Sequence, residues 1–263
     1  MKIFNEITSW QATRQQIQSN KTLGIVMTMG TLHKGHLNLI KQSQQDNDYT
    51  LVSIFVNPTQ FNNQSDFVNY PKTWQQDIDL LKAQGVDFLL SPQKEMLYPD
   101  NYNYLIKEKN LSPILCGASR LGHFEGVMTI VMKLLNIAQA NNAYFGEKDY
   151  QQFQLIKGMA QAFFIPTNII ACPTVREEDG LAFSSRNLRL DTNARAKAGY
   201  FAKAIRQSND IEQVRNALIS NHITIDYLED IEDRRFAAVI IDEVRLIDNF
   251  PLSEITQLTK ENT

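Results

Sequence analysis

The chain predicts an α/β fold: a parallel sheet with helices on both faces, followed by a smaller α+β unit. Three observations carry this. Short, β-branched apolar runs alternate with amphipathic stretches up to about residue 171, the signature of strand–helix–strand units. Several of those runs are continuously apolar, as expected of strands covered on both sides. After about residue 175 the pattern changes to two helices and then two closely joined strands. With 263 residues, 43% hydrophobic and 21% charged, the chain can bury a sizeable core and lacks the composition of disorder.

Leu23–Met27 is an apolar run ending in a glycine-bearing turn, and Leu37–Gln45 suits the helix after it. Leu51–Val56 is a strand by β-branched content and length. Thr73–Gln84 repeats Trp74, Ile78 and Leu81 at helical spacing, and Val86–Leu90 is a strand stopped by Ser91-Pro92. From Phe124 to Ala140, Val127, Ile130, Val131, Leu134, Leu135 and Ala138 form a stripe with few polar interruptions. That predicts a helix buried on more than one side. Asn142–Phe145 and Thr167–Ala171 are strands on either side of a helix over Asp149–Phe163. Beyond the polar turn Arg176–Gly180 and Ser184–Asn187 come helices at Thr192–Gln207 and Asp210–Ser220, the second N-capped by its aspartate. Phe236–Ile241 and Val244–Ile247 are short strands joined at Asp242-Glu243. The boundary falls near Thr174–Glu177, giving domains 1–175 and 176–263.

Charge and cysteine usage narrow the function classes. The net charge is −3 with no long Lys/Arg run, so no nucleic-acid surface is expected, although a locally positive pocket is compatible with it. Cys116 and Cys172 fit no metal-ligand spacing and read as reduced thiols. Met1–Glu6 has no signal-like apolar run, and no stretch of eighteen apolar residues occurs, so a cytoplasmic protein outside the membrane is expected.

The chemistry concentrates where the first predicted strand enters a helix, at Thr28-Met-Gly-Thr-Leu-His-Lys-Gly-His36. Such a turn gathers backbone N–H groups and the positive helix end at the carboxyl edge of a parallel sheet, which makes a phosphate site. His33 and His36, three apart, project from one face and can donate hydrogen bonds to phosphate oxygens as charge grows there, while Gly35 admits a close ligand. Two blander readings stand beside this one: a polar helix cap, or a metal pair lacking an evident third ligand. Gly146-Glu-Lys-Asp149 is a second strand-to-helix turn, where Lys148 supplies a point charge to phosphate or carboxylate, or else belongs to a solvated cluster. Gln60, after Asn57-Pro-Thr59, is by itself compatible with a surface loop.

The first turn resembles the signature of the HIGH-type nucleotidyltransferases and, more narrowly, of the pantothenate synthetase (pantoate–β-alanine ligase) family. The narrower match rests on Val52–Phe61, Gly117–Arg120 with Gly122–Phe124, Phe145–Gln152 and Asp179–Asn187, all in the family's order, with a weaker echo in Arg245–Asp248. The resemblance implies a Rossmann-like N-terminal domain, a C-terminal lid and a homodimer. It also implies that ATP and pantoate form pantoyl adenylate and that β-alanine then displaces AMP. Met29, Gly30, Thr31, Leu32, His33, Lys34, Gly35 and His36 are the implied ATP-binding turn, with His36 at the position usually given to a proton donor. The resemblance likewise implies that Gly146, Glu147, Lys148 and Asp149 line the nucleotide, that Val175 packs near the adenine, and that Phe183, Ser184, Ser185 and Arg186 reach phosphate from the lid. On the same resemblance Gln60 and Gln152 are the implied pantoate contacts, two amides that add no negative charge. Mg²⁺ is implied on the ATP oxygens with few protein ligands.

Some positions depart from the family pattern. Met27 and Leu121 replace common prolines, and Glu125 stands where a basic residue is frequent. Gln75 and Gln76 thin out an acidic run and leave Asp77 as a minor candidate for orienting Mg²⁺. Three readings follow: this ligase, a nucleotidyltransferase that releases a stable nucleotide product, and a non-catalytic nucleotide binder. The two glutamines and the Gly-Glu-Lys-Asp segment favour the ligase.

Overall fold

The computed structural model describes residues 1–62 and 64–255. In order the elements are β1 (Lys2–Phe4), α1 (Ile7–Gln16), β2 (Leu23–Thr28), α2 (Lys34–Asp46), β3 (Tyr49–Ile54), α3 (Gln64–Val68), α4 (Trp74–Ala83), β4 (Phe88–Leu90), α5 (Lys94–Leu97), α6 (Cys116–Ser119), α7 (His123–Ala138), β5 (Asn142–Gly146), α8 (Tyr150–Ala162), β6 (Asn168–Cys172), α9 (Thr192–Ala204), α10 (Ile211–Ser220), β7 (Thr224–Ile231), β8 (Arg234–Ile241) and β9 (Val244–Pro251). Three 3₁₀ turns lie at Pro58–Gln60, Glu147–Asp149 and Ser185–Arg189. The chain forms two compact units, Met1–Gly146 with Gln151–Cys172, and Glu147–Tyr150 with the chain from Pro173 onward.

The first unit is the expected parallel sheet, in the order β1-β4-β3-β2-β5-β6. Strand alternation sends its apolar residues to two opposite faces. Val26, Val52, Leu89 and Tyr144 meet Ile40 of α2 and Leu81 of α4 on one of them. Ile25, Leu51, Phe88 and Ala143, paired across the strands, face the other way. There Phe88 meets the Trp10 ring of α1 at 5.5 Å, and Trp10 Nε1 donates to Ile137 O of α7 at 2.9 Å. Each such aliphatic or aromatic side chain contributes roughly 1.5–3 kcal/mol by leaving water. The strand order reverses at β2, which lies between β3 and β5. In open parallel sheets ligands bind outside the carboxyl ends of the strands at such a point.

In the second unit β7, β8 and β9 form an antiparallel sheet. Its apolar face shares a core with α9 and α10 through Phe201, Leu218, Leu228, Val239 and Leu246. Asp242 and Glu243 join β8 to β9 with φ of 44° and 66°, the left-handed pair of a tight hairpin turn. Asp210 caps α10 as expected, accepting from the Glu212 amide at 2.9 Å.

The sequence pattern does not show β1, α1 or β7, nor the one-turn helices α3, α5 and α6, which are too short for a helical period. Strand β1 is too short for a period to show. Helix α1 buries only Trp10 and so carries no apolar stripe. Strand β7 has three acidic positions and a register shift between Ile225 and Tyr227 that breaks its alternation. Two of its carboxylates are paired with arginines of the other two strands: Asp226 with Arg245 of β9, and Asp230 with the fully buried Arg235 of β8.

Candidate active site

The β2–α2 turn is held from below by one carboxylate. Gly30 and Thr31 are both left-handed, with φ of 81° and 53°. Gly30 takes that conformation freely, whereas Thr31 needs a restraint. Asp77, at the start of α4, supplies it by accepting from the amides of Thr31 (2.9 Å) and Leu32 (2.8 Å) and from Thr73 Oγ1 (3.1 Å). Thr28 Oγ1 closes the other side, donating to Ser53 O at 3.0 Å and accepting from the Gly30 amide at 3.1 Å. Two of the turn amides that the sequence reading directs at a phosphate are therefore engaged by Asp77. That carboxylate, 2% exposed, serves the backbone.

His33 is the N-cap of α2, and its neighbour in the next turn is His36. The two imidazoles share one face, as the three-residue spacing predicts, and there they stack with centroids 4.0 Å apart. The His33 amide donates to His36 Nδ1 at 3.4 Å. With Nδ1 accepting, the proton of a neutral His36 ring resides on Nε2, so this side chain is a hydrogen-bond donor at its outer nitrogen.

Gln60 is tied to the same end of the sheet. The segment after β3 turns through Pro58–Gln60, with Pro58 opening the 3₁₀ turn. Gln60 Nε2 donates to Met29 Sδ at 3.2 Å, which joins this turn to the β2–α2 turn. The Gln60 carbonyl is met by His123 Nδ1 at 2.8 Å, and His123 Nε2 lies 2.9 Å from Arg120. Helix α7 approaches so closely that a Cβ on Gly126 would stand 2.4 Å from Thr59 O. Gly146 ends β5, and Gln152 is half-buried on α8. The preceding Gln151 is buried and structural, bonding the Cys116 amide (3.1 Å) and the carbonyls of Leu111 (2.8 Å) and Ile114 (2.7 Å).

In the second unit Asn249 of β9 donates to the carbonyls of Glu147 (2.9 Å) and Lys148 (2.8 Å), fixing the Glu147–Asp149 turn. Arg234 covers the Tyr150 ring at 3.8 Å. Lys148 Nζ lies 3.9 Å from Asp149. The Val175–Phe183 segment is a small hairpin: Phe183 N–H donates to Val175 O at 3.1 Å, and Glu177 N–H to Leu181 O at 2.8 Å. Its arms are locked by ion pairs. Arg176 grips Asp248 through two bonds of 2.6 and 2.9 Å, and Arg195 joins Asp179 and Glu177. The Arg195 guanidinium holds the Asp179 carboxyl below its usual range. Ser184 Oγ accepts from the Arg186 amide at 3.2 Å and starts the 3₁₀ turn that carries Ser185 and Arg186.

Several residues that hold these segments carry no motif in the sequence: Gly126 and Asn249, Arg195, and Asn57, which donates to Gly126 O and accepts from the Tyr98 hydroxyl. Their only sequence signal is residue type, an amide, hydroxyl, glycine or cation beside a predicted element end. Among the described residues no three or more His, Cys, Asp or Glu side chains converge in a way that could hold a metal ion. Among them, too, no helix is long and apolar enough to cross a membrane.

The pattern of the pantoate-beta-alanine ligase family matches residues 2–251. The pantothenate synthetase of Coxiella burnetii (strain Dugway 5J108-111) is 46% identical over 253 residues, 96% of this chain and 98% of that one. That of Legionella pneumophila (strain Corby) is 46% identical over 252 residues, 96% of this chain and 100% of the relative. The pantoate-beta-alanine ligase of Francisella tularensis, solved with beta-gamma ATP and beta-alanine, superposes with a TM-score of 0.93 at 43% identity, covering 96% of this chain and 98% of that one. The pantothenate synthetase of Thermus thermophilus superposes with a TM-score of 0.88 at 33% identity, covering 96% and 99%. The chain belongs to the pantoate–β-alanine ligase family.

Proposed function

We propose that this chain condenses pantoate with β-alanine in an ATP-dependent reaction through a pantoyl-adenylate intermediate. The observation that carries the proposal is family membership over nearly the whole chain, including a relative solved with beta-gamma ATP and beta-alanine. A carboxylate oxygen of pantoate attacks the α-phosphorus of ATP, and pyrophosphate leaves with the bonding pair. The amine of β-alanine then attacks the acyl carbon and loses a proton, and AMP departs on its phosphate oxygen. The protein's part is to align the reactants, neutralise phosphate charge and keep water from the mixed anhydride.

In this reading His33 and His36 hydrogen-bond the triphosphate, with His36 donating from Nε2. Pyrophosphate is a competent leaving group once neutralised, so His36 acts as a donor to the transition state and no obligatory proton transfer is required. Met29–Gly35 line the nucleotide, and Gly146, Glu147, Asp149 and Val175 contribute to its site. Lys148 adds positive charge, and Phe183, Ser184, Ser185 and Arg186 form the lid segment of the C-terminal domain. Gln60 and Gln152 bind pantoate. Mg²⁺, carried in with ATP, would supply further neutralisation of phosphate charge; the Asp77 carboxylate, turned to the Thr31 and Leu32 amides, fits poorly as its ligand. The resemblance extends the proposal to a cytoplasmic homodimer that binds neither nucleic acid nor membrane.

The test is direct. Incubation with pantoate, β-alanine and Mg·ATP is expected to yield pantothenate and AMP, with pantoate-dependent ATP–pyrophosphate exchange when β-alanine is omitted. Exchange that ignores pantoate would point to a nucleotidyltransferase with a different acceptor. Gln60→Ala and Gln152→Ala are expected to raise the KM for pantoate by about 10-fold or more while moving that for ATP little, since a hydrogen bond to a charged group is worth roughly 1.5–3 kcal/mol. An equal loss for both substrates in steady-state kinetics would place these amides elsewhere.

A further inference from the structure

An amide side chain has two chemically opposite ends, and at Gln60 the neighbours decide which one faces a ligand. Gly126 O is a main-chain carbonyl and can only accept, so the Asn57 atom 3.2 Å from it is the amide nitrogen. That nitrogen also lies 3.0 Å from the Gln60 side chain, whose facing atom must accept and is therefore Oε1. Gln60 Nε2 is left on the opposite side, against Met29 Sδ. A thioether is a weak acceptor that an oxygen ligand readily replaces.

The other end of Asn57 is fixed just as firmly. Its Oδ1 accepts from the Tyr98 hydroxyl at 2.7 Å and from Thr59 Oγ1 at 3.0 Å. Tyr98 is buried, and desolvation pushes its hydroxyl up to about 12, so the proton stays in place at neutral pH. Lys133 Nζ sits 4.5 Å over the Tyr98 ring and Phe55 packs beside it, so the hydroxyl has a set direction. Asn57 itself is 1% exposed.

We propose that Tyr98 is a positioning residue that acts through Asn57 to fix the polarity of the Gln60 amide. Gln60 then offers N–H donors, and not its carbonyl, to the carboxylate and hydroxyl oxygens of pantoate. This rests on the assignment of pantoate to Gln60 made above. A reversed amide would set its carbonyl oxygen against the acceptor-only carboxylate oxygens of pantoate and select against the substrate, so the relay sets specificity without touching a ligand.

The test is a double-mutant cycle on the intact enzyme, which separates action through a neighbour from mere packing. Tyr98→Phe keeps the ring and removes only the hydroxyl; it is expected to raise the pantoate KM about 3- to 10-fold, the range of one neutral hydrogen bond, with the ATP KM within about twofold. In a Gln60→Leu background, where no amide remains to orient, the same change is expected to leave the pantoate KM unaltered. Asn57→Asp, nearly isosteric, turns the Gln60 nitrogen toward itself and should exceed the Tyr98→Phe effect on pantoate. Equal fold-changes for Tyr98→Phe in both backgrounds, or a pantoate KM unmoved in the first, would overturn the relay. If instead the unaltered enzyme forms AMP without any need for pantoate, the substrate assignment fails, and that result is distinct from either of these.

Discussion

His36→Ala is expected to slow pantoyl-adenylate formation on the order of 10²-fold or more with the fold intact, the usual consequence of losing one donor to a transition state. The size follows from where charge develops. As the carboxylate attacks the α-phosphorus, negative charge builds on the phosphate oxygens, and a donor already in place needs no reorganisation to meet it. The His33 amide orients this imidazole through Nδ1, which sets the proton of the neutral ring on Nε2. His36→Asn and His36→Gln discriminate between roles. Each retains an N–H donor, so partial recovery is expected if hydrogen bonding is the contribution, and none if proton transfer is required. Pantoate-dependent pyrophosphate exchange isolates this half-reaction from β-alanine attack, and an unchanged exchange rate in His36→Ala would refute the role. Loss of the His36 ring also removes its stacking on His33, so the His33→Ala variant should show a coupled, non-additive effect.

The residues most legible in sequence were those whose chemistry is unusual for their setting. Half of the four histidines fall in one turn, and a glycine-flanked strand-to-helix junction gives them a place. The sheet was legible because strands covered on both faces are mostly apolar, as Leu51, Val52 and Ile54 of β3 show, with the small Thr50 and Ser53 as its buried polar members. The supporting residues were not legible, for a physical reason. Asn57, Tyr98 and Gly126 come from three separate elements, and their meaning is mutual: an amide reads as an orienting group only beside the carbonyl and hydroxyl that fix it. The same holds for Asn249, which reaches the Glu147–Asp149 turn from β9. Periodicity cannot show such pairings, since they depend on where elements meet and not on what either contains.

Asp77 is the supporting residue with the largest expected effect. Asp77→Ala would leave the Thr31 and Leu32 amides without their carboxylate, and a buried donor without a partner costs roughly 1–3 kcal/mol. It would also release Thr31 from its left-handed conformation, which for a β-branched residue persists only under restraint. Once Thr31 relaxes, His33 and His36, two and five residues on, lose their common direction. The expected result is a lower melting temperature together with a fall of at least about 10-fold in exchange rate measured well below that temperature, since misplaced catalytic groups cost far more rate than stability. Asp77→Asn should be milder, because its remaining oxygen can still accept from one of the two amides. The sequence also admitted Asp77 as an Mg²⁺-orienting group, and the two roles separate cleanly. Loss of a metal ligand is relieved by raising Mg²⁺ at fixed ATP, whereas loss of a backbone clamp is not. Restoration of the Asp77→Ala exchange rate by excess Mg²⁺ would therefore overturn the clamp. A rate indifferent to Mg²⁺, in a protein that also melts early, would establish it, because only a carboxylate bonded to the turn's own amides links stability and rate in that way.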